Sequence, residues 1–234
     1  MCASTVSSKM LSCIGEKDGF RMEETLTGFK WIGSRAQSLR DEGSDVIFAY
    51  EEAIGFCCGD VVSDKDGLTA LGIFSELSIS IYSKKVQVID HLQHLYQTYG
   101  EFVSKNGYFF CYDPPTITRI LGELRNGGKY MGSVGPYKVK AIRDLGEPAF
   151  DSTTPDKKPT LPTSKSSPML TIRFENGCVA QFRASGTEPK FKYYIELPGP
   201  PGVARDVVEA DLAKMVDIIL EELLRPTKNG LVKP

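Results

Sequence analysis

Apolar and polar positions along the 234-residue chain follow two different rhythms. Over residues 25–42, Leu26, Phe29, Trp31, Ile32, Ala36 and Leu39 recur at roughly helical spacing, and Gly43 supplies a stop, which predicts a helix. Val46-Ile47-Phe48-Ala49-Tyr50 follows as a continuous apolar run, the pattern of a strand buried on both faces. Residues 67–83 then read as a mostly apolar helix and 89–99 as another. Such strands alternating with helices predict a layered α/β sheet.

After Asp113-Pro114-Pro115 the rhythm changes. A short helix-like stretch over 116–124 leads into Asn126-Gly127-Gly128 and Gly132-Ser133-Val134-Gly135-Pro136, a glycine-rich candidate linker. Residues 137–142 alternate as a half-buried strand does. Residues 169–175 and 178–183 flank Asn176-Gly177, a strong hairpin signal. A further strand is predicted over 191–197, and 151–168, rich in Pro, Ser, Thr and Lys, reads as a long loop. The stretch 205–224 sets Val208, Leu212, Met215, Val216, Ile219 and Leu223 on one helical face. Strands first and a helix last predict a small α+β domain.

Composition narrows the functional classes. The chain is 41% apolar and 25% charged, as globular domains are, and 28 basic against 30 acidic residues exclude a general electrostatic grip on nucleic acid or acidic lipid. No uncharged apolar run reaches about 18 residues, so no membrane span is expected. Met1 to Lys9 shows neither a basic start nor a long apolar stretch, and the six cysteines form no C-x-x-C pair and no metal-ligand spacing. A reduced, cytoplasmic protein is expected, with the adjacent Cys57 and Cys58 either packed or redox-active.

Four segments hold candidate chemistry. Arg183-Ala184-Ser185-Gly186-Thr187-Glu188-Pro189-Lys190 begins where a hairpin strand ends. Its arginine fork, hydroxyls, glycine and lysine suit either an oxyanion-binding concavity or a solvated polar turn. Glu51-Glu52-Ala53-Ile54-Gly55 directly follows the apolar strand, where ligand groups collect in open α/β sheets. Its carboxylates would hold sugar hydroxyls or work as acid and base, or else one caps a turn and the other faces water. Asp64-Lys65-Asp66-Gly67 precedes a helix, with Asp66 as an expected N-cap and Lys65 facing a ligand or solvent. Thr27-Gly28-Phe29-Lys30 is a similar helix start. His91 and His94, three apart on a helix, lack further ligands nearby in sequence, and no metal site is expected.

In this order, the segments resemble those of the α-D-phosphohexomutases, closest in wording to the phosphopentomutase/phosphoglucomutase branch that includes glucose-1,6-bisphosphate synthases. The resemblance rests on Thr27-Gly-Phe-Lys30, Tyr50-Glu-Glu-Ala-Ile-Gly55, Lys65-Asp-Gly67 and Arg183-Ala-Ser-Gly-Thr-Glu-Pro-Lys190, with supporting wording in Glu24-Thr-Leu-Thr-Gly-Phe-Lys-Trp31, Leu161-Pro-Thr-Ser-Lys-Ser-Ser167 and Lys192-Tyr-Tyr194. It implies an incomplete third domain over 1–113, a partial three-layer α/β/α mixed sheet; a linker over 114–135; and over 136–234 a small α+β, TATA-binding-protein-like C-terminal domain.

The resemblance also implies roles. Phosphoryl transfer between two oxygens of a sugar phosphate would have Thr27, Gly28, Lys30, Glu51 and Glu52 on the sugar. Arg183, Ser185, Gly186, Thr187 and Lys190 would hold the phosphate, and Lys65 would be a candidate general acid or base. It further implies magnesium and a bisphosphorylated sugar as primer, a small-molecule sugar phosphate as partner, and neither nucleic acid nor membrane. Neither a Thr-Ala-Ser-His-Asn-Pro-like phosphoserine loop nor an Asp-x-Asp-x-Asp magnesium loop occurs in the chain, and Ala53 stands where many members have serine. The polypeptide is therefore expected to be a C-terminal part, binding but not transferring by itself, with a truncated non-catalytic sugar-phosphate-binding fragment as the alternative.

Overall fold

The computed structural model describes residues 1–186 and 188–234, apart from the side chain of Pro114. They form two compact units, one of Met1–Phe102 with Pro200–Val203 and one of Val103–Gly199 with Ala204–Pro234.

In the first unit, β1 (Cys2–Ser4), α1 (Met10–Asp18), β2 (Glu23–Thr25), α2 (Phe29–Asp41), β3 (Phe48–Glu51), β4 (Gly55–Cys58), α3 (Gly67–Ser83) and α4 (Val88–Tyr99) succeed one another. The sheet order is β2-β1-β3-β4, with β1 parallel to β2 and β3, and β4 antiparallel to β3. Helix α2 covers this sheet: Phe29, Ile32, Ala36 and Leu39 of the predicted helical stripe pack with Cys2, Val46, Ala49 and Cys57 in one core, whereas Leu26 precedes the helix and Trp31 is exposed. The 46–50 run is not buried on both faces as expected. Ala49 is buried, but Ile47 is 57% exposed, and Phe48 and Tyr50 are half-buried, stacked on each other with Phe48 also on Phe56. Aromatic rings fit such a partly covered face because neighbouring rings shield one another.

The second unit contains β5 (Glu101–Phe110, starting in the first unit), α5 (Pro114–Arg125), β6 (Ser133–Val134), β7 (Tyr137–Asp144), β8 (Phe150–Asp151), β9 (Met169–Phe174), β10 (Val179–Ala184), β11 (Lys190–Gly199) and α6 (Arg205–Leu224). Seven strands make its sheet, in the order β5-β11-β10-β9-β7-β6 with β8 beside β7. The Asn176-Gly177 hairpin forms as predicted: β9 and β10 pair antiparallel, Gly177 has φ 87°, and the Asn176 side chain accepts from the Cys178 amide at 3.1 Å. All six residues of the predicted α6 face are buried, in a unit whose largest fully buried side chains include Phe174, Phe182 and Phe191.

The division between units falls at Phe102–Val103, whereas the sequence pattern put it at 113, because β5 hydrogen-bonds beside β11 and so joins the second sheet. The expected linker over 114–135 is largely structured. Pro114 and Pro115 open α5 where their missing N–H groups cost nothing, and Ile117, Ile120, Leu121 and Leu124 are buried.

Candidate functional site

Because β1 runs parallel to both β2 and β3, the residues after Ser4, Thr25 and Glu51 leave these strands at one edge of the first unit's sheet. Adjacent parallel strands that end together splay their following loops apart and leave room for a ligand. Glu51 closes β3 there and is 7% exposed. Its Oε1 lies 3.0 Å from Lys65 Nζ. The Glu51–Gly55 pair closes the β3–β4 turn, and glycine leaves room for the carboxylate, since a Cβ at Gly55 would stand 3.1 Å from Glu51 Oε1 and 2.9 Å from the Phe29 ring. A buried carboxylate needs a charged or hydrogen-bonding partner, and Lys65 provides one.

The hydrogen bond to Glu51 holds the Lys65 ammonium above its ordinary pKa. At neutral pH this lysine is a cation and a proton donor, not a poised base. Its neighbour Asp66 caps α3 as expected, accepting from the Leu68 and Thr69 amides at 3.0 and 3.2 Å. The Thr69 hydroxyl, with these amides, holds the Asp66 carboxyl below the usual range.

Glu52 is held separately. Ser4 Oγ donates to its Oε2 at 2.7 Å and lies 2.8 Å from Ser7 Oγ. On the neighbouring strand end, Thr5 Oγ1 donates to Glu24 Oε2 at 3.1 Å, and Lys9 Nζ pairs with Glu24 Oε1 at 2.8 Å. Ser4, Ser7 and Lys9 share the edge with the predicted residues but carried no signal in the sequence, and Glu24 stood there as part of a motif without a role. β1 is three residues long, too short to show a period. Thr27 and Gly28 follow β2 on the same edge, with Gly28 at φ 99° opening α2. Lys30 is exposed on the first turn of α2, its ammonium 5.5 Å from the Trp31 ring centroid.

Among the described residues, no group of three or more His, Cys, Asp or Glu could hold a metal ion. With Asp66 committed to its cap, the residues present do not fit a magnesium site.

In the second unit, the 183–190 loop joins β10 to β11. Ser185 N–H donates to the Lys190 carbonyl at 3.0 Å, and the Glu188 amide donates to Ser185 Oγ at 3.3 Å, folding the loop on itself. Lys190 does not stand as a separate cation. Its ammonium pairs with Glu188 at 2.7 Å and sits 4.6 Å from the Tyr108 ring centroid. That hydrogen bond raises the Lys190 pKa and lowers that of Glu188. Arg183 is half-buried and Gly186 exposed, while Thr187, expected on the phosphate, lies outside the described residues. The sugar-holding and phosphate-holding candidates thus fall into separate units, and Glu51 and Lys65 are joined by a direct polar contact across segments.

A mixed sheet with polar residues gathered where its parallel strands end defines an α/β protein. Residues 1–99 match the family model described as phosphoglucomutase/phosphomannomutase, alpha/beta/alpha domain III. Over 99% of its length the chain is 46% identical to glucose 1,6-bisphosphate synthase of Mus musculus and 47% identical to phosphopentomutase of Homo sapiens, and it covers 38% of each. It is also 36% identical to a probable phosphoribomutase of Schizosaccharomyces pombe, covering 40% of it. The chain therefore spans about two fifths of the length of these curated relatives. Among solved structures, parafusin (phosphoglucomutase) from Paramecium in its open form aligns over the whole chain and 39% of its own, with TM-score 0.68 at 19% identity, a likeness of fold.

Proposed function

We propose that this chain carries the sugar-holding and phosphate-holding parts of a phosphosugar mutase acting on hexose or pentose phosphates. The observation that carries the reading is the Glu51–Lys65 pair at the strand edge. It supplies a fixed carboxylate to accept from sugar hydroxyls beside a cation able to donate a proton to an oxygen of the substrate. Arg183, with the Ser185 hydroxyl and the Gly186 backbone amide, suits a phosphate that is being held and not transferred, since charge-assisted N–H donors bind oxyanions strongly. Thr187 belongs to the same proposed set.

Lys190 enters the proposal with a changed role. Paired to Glu188, it adds little net charge and serves to fix the loop's shape. Magnesium and a bisphosphorylated sugar primer belong to the reaction that the family resemblance implies, and so does a cytoplasmic setting. No helix among the described residues is long and apolar enough to cross a membrane.

The phosphoserine and magnesium loops are not in this sequence. That favours a second reading for the polypeptide in hand, a sugar-phosphate-binding fragment that binds without transferring. One experiment separates the readings. The purified chain is given magnesium, glucose 1,6-bisphosphate and either glucose 1-phosphate or ribose 1-phosphate, and turnover and binding heat are recorded. Binding without turnover is expected. Arg183→Ala should weaken binding by about 1.5–3 kcal/mol, roughly 10–150-fold, as loss of a charged hydrogen-bonding group does. Unchanged affinity would remove the loop from the site, and turnover by this chain unaided would overturn the binding-only assignment.

A further inference from the structure

The segment Thr163-Ser164-Lys165-Ser166-Ser167 has no part in the roles proposed above, yet its last serine touches the candidate phosphate loop. Arg183 Nε–H donates to Ser167 Oγ at 3.4 Å, and the Ser167 hydroxyl donates in turn to the Ala184 carbonyl at 3.0 Å. The sheet register brings them together. Arg183 lies opposite Met169 in the β9–β10 ladder, so the residues just before Met169 run beside those just after Arg183, and the Ala184 amide donates to the Pro168 carbonyl at 3.2 Å.

The serine segment is fastened at its other end as well. The Ser164 amide donates to the Leu145 carbonyl at 2.8 Å, the Leu145 amide to the Met169 carbonyl at 2.8 Å, and the Ser167 amide to Ser164 Oγ at 3.1 Å. The position of the Ser167 hydroxyl is thus set by backbone, and the hydroxyl has one lone-pair side to offer the guanidinium.

A guanidinium grips a phosphate through two parallel N–H donors, either Nε with one Nη or the two Nη groups together. Ser167 occupies Nε, and no described residue hydrogen-bonds to Nη1 or Nη2. We propose that Ser167 is a positioning residue that turns Arg183 so that its Nη1–Nη2 end faces a phosphate monoester. This rests on the phosphate-holding reading of the 183–190 loop. Holding the fork in one orientation before binding lowers the ordering cost of binding.

The test uses the full chain as wild type, Ser167→Ala and Ser167→Thr. Solvent exchange of the Arg183 Nε–H is followed by NMR without ligand, and calorimetry uses glucose 1,6-bisphosphate as the probe. Exchange should be slow in wild type, fast in Ser167→Ala and slow again in Ser167→Thr, at equal thermal midpoints. Affinity should fall roughly 3–10-fold in Ser167→Ala and return with threonine, the loss of one hydrogen bond's net contribution. Equal Nε–H exchange in wild type and Ser167→Ala, or equal affinity, would overturn the positioning role. If wild type does not bind the bisphosphate at all, the phosphate-holding reading falls and this proposal with it, even where the exchange pattern shows that Ser167 orients the guanidinium.

Discussion

Asp144→Asn should destabilise the second unit more than any other single change of charge in it. Asp144 ends β7 and is 1% exposed. Arg125 grips it with both ends of its fork, Nε to Oδ2 at 2.6 Å and Nη2 to Oδ1 at 3.0 Å. The Tyr130 hydroxyl donates to Oδ2 at 3.1 Å and the Gly146 amide to Oδ1 at 2.8 Å. Four donors therefore converge on one carboxylate. Burial, followed by the Asp144 charge, pushes the Tyr130 phenol well above its ordinary pKa, so it stays a donor at any working pH.

Asparagine keeps the shape but removes the charge and turns an NH2 toward Arg125, whose side chain is 14% exposed. Breaking a buried pair from one side leaves an uncompensated charge and costs about 3–5 kcal/mol. With a urea m-value of about 1–3 kcal/mol/M, the midpoint should fall by at least about 1 M. Glu147→Gln is the control. It removes the Lys165–Glu147 pair at 2.8 Å, whose side chains are 77% and 48% exposed, and such pairs contribute about 0–1 kcal/mol. Urea unfolding by far-ultraviolet circular dichroism checks both. Equal shifts in the two variants, or a loss under about 1 kcal/mol for Asp144→Asn, would refute the claim that burial sets the value of these ion pairs.

In the first unit, Glu51→Gln should let Lys65 titrate at lower pH than in wild type, because its pKa is raised chiefly by that carboxylate, and NMR of the lysine Nζ tracks this. Burial pushes the Cys178 thiol up to about 12. The folded state thus holds the proton more tightly than the unfolded one, whose pKa is about 8.5. The resulting stabilisation should be complete below about pH 8.5 and decline as pH rises toward 12, so wild type should lose more stability than Cys178→Ala between pH 8 and 10 by urea midpoint. Leu71 and Phe74 on α3 are 63% and 55% exposed, and Leu68, Leu77 and Ile79 extend the same uncovered apolar surface. Leu71→Glu with Phe74→Glu should leave the unfolding free energy within about 0.5 kcal/mol of wild type by urea denaturation, because neither side chain is covered.

Two identical dipeptides show how far such a fold can be read from its sequence. Asn176-Gly177 makes the predicted hairpin turn, with Gly177 at φ 87°. Asn106-Gly107 lies within the ten-residue strand β5, whose polar centre Ser104-Lys105-Asn106-Gly107 interrupts any alternation. There glycine is required by a neighbour and not by a turn, since a Cβ at Gly107 would stand 2.6 Å from Cζ of the Tyr193 ring. Nothing local distinguishes the two cases, because what decides the second is a tyrosine 86 positions away in the chain. The long elements α2 and α6 were legible because each repeats an apolar stripe over several turns, and α3 because it is apolar along most of its length. β1, β2 and β4, of three or four residues, leave no room for a period. The candidate site divides in the same way. The residue types of Glu51, Lys65 and Arg183 stand in recognisable segments, whereas the partners that fix them arrive through register. Lys65 reaches Glu51 from beyond β4, Ser4 reaches Glu52 from β1, and Ser167 meets Arg183 because β9 and β10 pair as they do. Motifs thus identify which side chains can do chemistry, and strand pairing decides the charge and orientation in which each is presented.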